Sequence, residues 1–95
     1  MIDSLAVGMA AAGIDGYVTE HKGAFYVPVV MARQRGRGDC ARWLDSLPRT
    51  VTIKFPAVLN GRLAGMLQRR EFVVEREWAA EPFNEWVDVY VRRAA

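Results

Sequence analysis

The sequence predicts an α+β fold, in which a largely antiparallel sheet of about five strands packs with two or three short helices in the order α-β-β-α-β-α-β-β. Apolar residues recur at helical spacing in three segments and alternate with polar residues in the segments between them. Glycine and proline residues separate the two kinds of pattern. Because 95 residues is the size of one domain, we expect a single globular domain over residues 1–95.

The first part of the chain predicts a helix followed by a β-hairpin. The helix has one apolar face, formed by Ile2, Leu5, Met9 and Ala12. Gly13 ends this helix. Residues that favour strands, over 17–20 and 25–31, then flank a turn at 21–23. Pro28 has no N–H group to donate to a neighbouring strand, so we expect a sheet edge or a bulge there.

The middle of the chain predicts a helix over residues 39–47 and a strand over residues 50–55. The helix has an apolar stripe, formed by Cys40, Trp43, Leu44 and Leu47. Asp39 is the expected N-cap of this helix. The strand alternates regularly, and we expect Val51, Ile53 and Phe55 to face the core.

Residues 57–70 fit two structures. One is a helix with Pro56 at its start, and the other is a hairpin that turns at Asn60 and Gly61. We predict the helix. Two strands over 72–78 and 86–92, joined by a long hairpin loop, are predicted to complete the sheet.

The composition indicates a globular protein, since 52% of the residues are hydrophobic and 25% are charged. Cys40 is the single cysteine and cannot form an internal disulfide. No apolar run reaches the roughly 18–20 residues that a membrane-spanning helix needs. We therefore expect a cytoplasmic protein that has no membrane partner.

Charge is distributed unevenly along the chain. Residues 33–70 hold nine basic and two acidic side chains, whereas the segments on either side are net acidic. The basic residues are densest in a glycine-containing loop over 33–39, where cationic side chains and exposed N–H groups favour an anionic partner. The candidate residues for binding a partner or an anion are Arg33, Arg35, Arg37, Arg62, Arg69 and Arg70.

The tail combines aromatic and acidic residues. The candidate protein-interface residues are Trp78, Glu81, Phe83, Glu85 and Trp86. Aromatic side chains are enriched in the hot spots of protein interfaces. The same aromatic side chains could instead close the core over the end of the sheet, and we expect this core position for Trp78.

Catalysis has little support in the sequence. His21 is the single histidine and lies in a predicted turn, while Cys40 lies on the apolar stripe of a helix. A nucleophilic pair of Cys40 and His21 is the strongest enzyme hypothesis. The sequence contains neither metal-ligand spacing nor a cofactor motif, so we expect no metal and no cofactor.

These observations predict a small non-enzymatic interaction protein that binds and regulates or inhibits a larger protein, as inhibitors encoded by mobile elements do. Two alternatives stay open. One is a nucleic-acid-binding domain that uses the six candidate arginines, and the other is a small enzyme built around Cys40 and His21. A homodimer formed through an edge strand, 24–31 or 86–92, also fits the pattern.

Overall fold

The computed structural model describes residues 2–34, 36–80 and 82–95, with side chains from residue 4 onward. Its three helices are α1 (Ile2–Ala11), α2 (Asp39–Ser46) and α3 (Gly61–Arg69). Its five strands are β1 (Ile14–His21), β2 (Ala24–Ala32), β3 (Thr52–Pro56), β4 (Val73–Ala79) and β5 (Glu85–Arg92). This order confirms the predicted α+β arrangement. No helix in the described ranges has the length and the apolar content needed to cross a membrane.

The five strands form one mixed sheet in the order β1-β2-β3-β5-β4. The β2–β3 pair is parallel and the other three pairs are antiparallel, so the sheet is largely antiparallel, as predicted. Because β3 pairs with the second strand of each hairpin, the edge strands are β1 and β4. The expectation that 24–31 or 86–92 lies at an edge is therefore wrong.

The N-terminal hairpin follows from local sequence. Lys22 and Gly23 both have positive φ, at 51° and 78°, which is the geometry of a two-residue turn that matches the twist of the strands. The register shifts by one residue where β2 contains Pro28, since Tyr17 pairs with Val29 but Thr19 pairs with Tyr26. This bulge confirms the expectation for Pro28.

The helices cover one face of the sheet. The core cluster comprises Leu5, Met9, Ile14, Phe25, Val27, Trp43, Leu44, Leu47, Ile53, Phe55, Leu67 and Phe72. It includes side chains from all three helices together with the alternate β3 residues Ile53 and Phe55, as predicted. Lys54 therefore points to the opposite face.

Two helices begin differently from the prediction. The residue before α2 is Gly38, in a left-handed conformation with φ of 75°, so Asp39 is the first residue of the helix and not its N-cap. Helix α3 begins at Gly61, and Pro56 belongs to β3. Asn60 caps α3, because its Oδ1 accepts hydrogen bonds from the backbone N–H groups of Arg62 (2.9 Å) and Leu63 (3.2 Å).

The face opposite the helices is concave. Glu77 on β4 accepts hydrogen bonds from the Tyr26 hydroxyl on β2 (2.9 Å) and from Lys54 Nζ on β3 (2.6 Å). Strands β2 and β4 are three positions apart, which is about 14 Å in a flat sheet, so these contacts require a strongly curved one. Val89 and Val91 lie on this face and are buried without a helix above them in the described part of the chain.

Candidate protein-interaction site

The β4–β5 hairpin carries an exposed aromatic pair. Trp78 and Trp86 lie directly opposite each other in the ladder, and their rings meet edge to face with centroids 5.7 Å apart. Trp78 is 53% exposed and Trp86 is 57% exposed. The expectation that Trp78 closes the core is therefore wrong. Helix α1 packs against β1 and α2 packs against β2, whereas β4 lies at the opposite edge of the sheet.

The aromatic pair belongs to a larger apolar area. Alternation along β4 places Val74 on the same face as Trp78, and Val74 is also exposed. Phe83, in the loop between the strands, is 68% exposed. We refer to Val74, Trp78, Phe83 and Trp86 as the hairpin patch.

Charged residues accompany the hairpin patch. Arg76 lies between Val74 and Trp78 on the same face, and its Nε is 3.7 Å from Oδ1 of Asp88. Glu85 is exposed at the start of β5, and Glu81 lies outside the described residues. An apolar surface with a few interspersed charges has the anatomy of a protein interface.

Val74 and Arg76 are not among the residues that the sequence predicts for this site. The signal that identifies them is the alternation of β4, which puts positions 74, 76 and 78 on one face. That alternation does not say which part of the face the helices leave uncovered. Only the tertiary structure shows that this end of the hairpin is accessible.

The basic loop is paired within the protein. Arg33 Nε lies 2.7 Å from Oδ1 of Asp15, and Arg37 Nη1 donates to Oε1 of Gln34 at 2.9 Å. The buried carboxylate of Asp39 forms an ion pair with Arg42 and has Arg37 Nε at 3.8 Å. Arg35 lies outside the described residues. The guanidinium groups of Arg33 and Arg37, which the sequence predicts as anion-binding groups, are therefore already paired with groups in the protein.

The arginines of α3 differ from those of the loop. Arg70 Nε is 2.8 Å from Oδ1 of Asp45 on α2, which joins the two helices. Arg62 and Arg69 are exposed and form no ion pair with the residues that the structure describes. No contact in the described ranges joins them to Arg33 or Arg37.

The acidic tail neutralises part of the basic middle. Glu71 pairs with Arg49, and Glu77 pairs with Lys54. Arg93 and Glu75 form a further pair within the tail. The segregation of charge along the sequence therefore becomes a set of ion pairs in the fold.

The structure does not bring Cys40 and His21 together. The ring of His21 packs against that of Tyr26, 6.2 Å away, on the concave face. Cys40 lies in α2, on the other side of the sheet. Burial raises the pKa of the Cys40 thiol, and the nearby guanidinium groups of Arg70 and Arg62 only partly offset this effect, so the thiol stays protonated near neutral pH.

Within the described residues, no three His, Cys, Asp or Glu side chains converge so that they could hold a metal ion. No protein-family model, curated protein or solved structure matches this chain. Among the residues predicted for a site, Trp78 and Trp86 are the two that contact each other on an accessible surface of the described chain.

Proposed function

We propose that this protein binds a larger protein through the hairpin patch and thereby regulates or inhibits it, without catalysing a reaction itself. The observation that supports this proposal is the exposed edge-to-face pair of Trp78 and Trp86. Large aromatic side chains are the anchors most often found in the energetic centre of protein interfaces. We place this activity in the cytoplasm, as the sequence predicts.

The hairpin patch has enough uncovered area to anchor a complex. About half of each tryptophan is exposed, which is on the order of 100 Å² per side chain. Covering this area gives about 2–3 kcal/mol per tryptophan before the costs of association. The pair is also held by two hydrogen-bonded strands, so little conformational freedom is lost when a partner binds.

The charges at the patch indicate what the partner surface contains. Glu85 is exposed, and the side chains of the Arg76–Asp88 pair are each 65% exposed in the middle of the apolar strip. A partner with an apolar pocket and a rim that carries both a basic and an acidic group would complement this arrangement.

Nucleic-acid binding has less support. Arg33 and Arg37 already contact groups within the protein. Arg62 and Arg69 are exposed, but a nucleic-acid interface usually contacts the phosphate backbone through more than two basic side chains. The hairpin itself is acidic near its tip, which disfavours contact with phosphates.

The proposal is tested by affinity capture of the partner from cells that naturally contain the protein. The wild-type chain is compared with the double variant Trp78→Ala/Trp86→Ala and with the control Tyr17→Ala, which removes an equally exposed aromatic ring from β1. We expect the double variant to bind the captured partner at least about 30-fold more weakly, which is the effect of losing one hot-spot residue. The control should bind the partner as tightly as the wild type.

Two results would contradict the proposal. One is a partner that both variants retain equally, since its interface would then lie elsewhere. The other is recovery that nuclease treatment abolishes, which would favour the nucleic-acid alternative.

A further inference from the structure

Strands β2 and β3 pair over a short distance and then separate. Their parallel register joins residues 24–26 to residues 52–54 and stops there. Pro28 follows two residues later, and its missing N–H group and the bulge around it prevent the pairing from continuing. The result is a split in the middle of the sheet, between the second half of β2 and the end of β3.

A cleft of about 210 Å³ occupies this split. Its floor is formed by Val27 and Phe55 of the core, and Leu63 of α3 closes one side. None of its lining residues is charged, and Asn60, the polar one among them, already uses its side-chain oxygen to cap α3. A charged side chain would find no opposite charge among these residues, so the cleft favours an uncharged occupant.

The walls of the cleft are strand edges. In the described chain, Val29 and Val30 pair with β1 but have no partner on the β3 side, and Phe55 and Pro56 pair on one side alone, with β5. An added strand requires backbone groups for hydrogen bonding and a pocket for its alternate side chains. The open strand edges provide the first, and the apolar floor of the cleft provides the second. At the rim, Leu59 is 96% exposed.

We propose that this cleft binds an extended, uncharged apolar segment of a partner protein, which adds as a short strand between β2 and β3. The open strand edges favour a peptide over a small ligand, because they offer backbone groups with which an added strand can pair. A second copy of this chain is a poorer fit, because its described apolar strands are already held in the sheet. This site is separate from the hairpin patch, so an experiment that rules out binding at one of them leaves the proposal for the other unaffected.

The test uses three acetylated and amidated octapeptides, in which Thr alternates with Val, Leu or Phe, added to the isotope-labelled full chain. We expect NMR shifts confined to residues 27–30 and 55–60, and amide exchange in these segments to slow about tenfold at saturation. Matched peptides with N-methylated residues on one edge should not bind, because strand addition needs their N–H groups.

Leu59→Asp places a charge at the rim without disturbing the core, since Leu59 is almost fully exposed. We expect it to weaken binding of the peptides at least about tenfold. Val7→Asp, on the exposed face of α1, is the matched control and should bind like the wild type.

Three results would overturn the proposal. The first is that none of the peptides binds, or that Leu59→Asp binds as well as Val7→Asp. The second is equal binding of the N-methylated peptides, which would show that the cleft takes apolar groups without strand addition. The third is a wild-type dimer in sedimentation that Leu59→Asp dissociates, because the occupant would then be a second copy.

Discussion

In the described part of the chain, Trp and Phe side chains pack edge to face both in the core beneath the helices and, as an exposed pair, on the β4–β5 hairpin. In the buried group, Phe55 meets Trp43 at 6.2 Å and Phe72 at 5.3 Å between ring centroids. In the exposed group, Trp78 and Trp86 meet at 5.7 Å. The contacts are alike, yet Trp43 is 3% exposed and both hairpin tryptophans are more than half exposed.

The difference shows that helix coverage, and not the chemistry of the aromatic pair, separates the core from the candidate site. Phe55 lies on the central strand β3 and is buried, and its ring contacts Trp43 of α2 and Phe72. Trp78 lies on the edge strand β4, beyond the helices. Aromatic contacts of one kind therefore stabilise the fold in one region and form an accessible surface in the other.

The largest expected effect is that of Trp43→Ala. Removing a fully buried tryptophan creates a cavity, so we expect the free energy of unfolding to fall by about 3–5 kcal/mol. Urea denaturation followed by circular dichroism measures this change. The matched variant Trp78→Ala should cost about 1 kcal/mol or less, since its ring is already half in water.

Equal losses in these two variants would contradict the comparison, because the hairpin tryptophans would then be part of the core. A domain of this size has a total stability of roughly 5–15 kcal/mol, so Trp43→Ala could unfold the chain. In that case Trp43→Phe, which keeps most of the buried ring, should give a measurable intermediate loss.

Much of the fold can be predicted from the sequence because it depends on local patterns. The alternation of β3 identifies Ile53 and Phe55 as core residues, and the spacing in α2 identifies Trp43 and Leu44. The bulge in β2 can also be predicted from Pro28, since its missing N–H group interrupts the strand pairing at that position.

The candidate site is harder to predict because exposure depends on distant elements. Trp78 alternates in β4 as a core residue would, and nothing nearby in sequence shows that the helices stop short of it. The contacts of Glu77 with Tyr26 and Lys54 require curvature across four strands, which no local pattern encodes. The pairing of Arg33 with Asp15 joins residues 18 positions apart.

The concave face offers a second test, because it buries Val89 and Val91 without a helix in the described chain. Burial acts to raise the pKa of Glu77, but hydrogen bonds from Lys54 and Tyr26 outweigh it and lower the pKa below its usual value.

A lowered pKa in the folded state means that the Glu77 carboxylate adds to the free energy of unfolding above a pH of about 4.3. This added stability is lost as the pH falls through the folded pKa.

We therefore expect Glu77→Gln to reduce the free energy of unfolding by about 1–2 kcal/mol at neutral pH. The difference from the wild type should shrink as the pH is lowered below about 4, since the carboxyl then takes up a proton in the unfolded chain more readily than in the folded one. Urea denaturation at pH 7 and pH 3 measures both values. Glu85→Gln, at an exposed position, is the control and should change stability by less than about 0.5 kcal/mol. A loss that is the same at both pH values would show that the carboxylate charge does not hold this face together.

The smallest effect on stability, and the most direct test of the comparison, comes from Trp78→Phe/Trp86→Phe. Phenylalanine keeps an aromatic pair on the hairpin, so we expect stability to change by about 0.5 kcal/mol or less. Trp43 is then the one remaining tryptophan, and because it is buried, quenching of its fluorescence by acrylamide should be far weaker than quenching of the wild type. Quenching that stays at the wild-type level would mean that Trp43 is accessible to solvent. The two aromatic groups would then have similar surroundings, and exposure alone would no longer single out the hairpin patch as a binding surface.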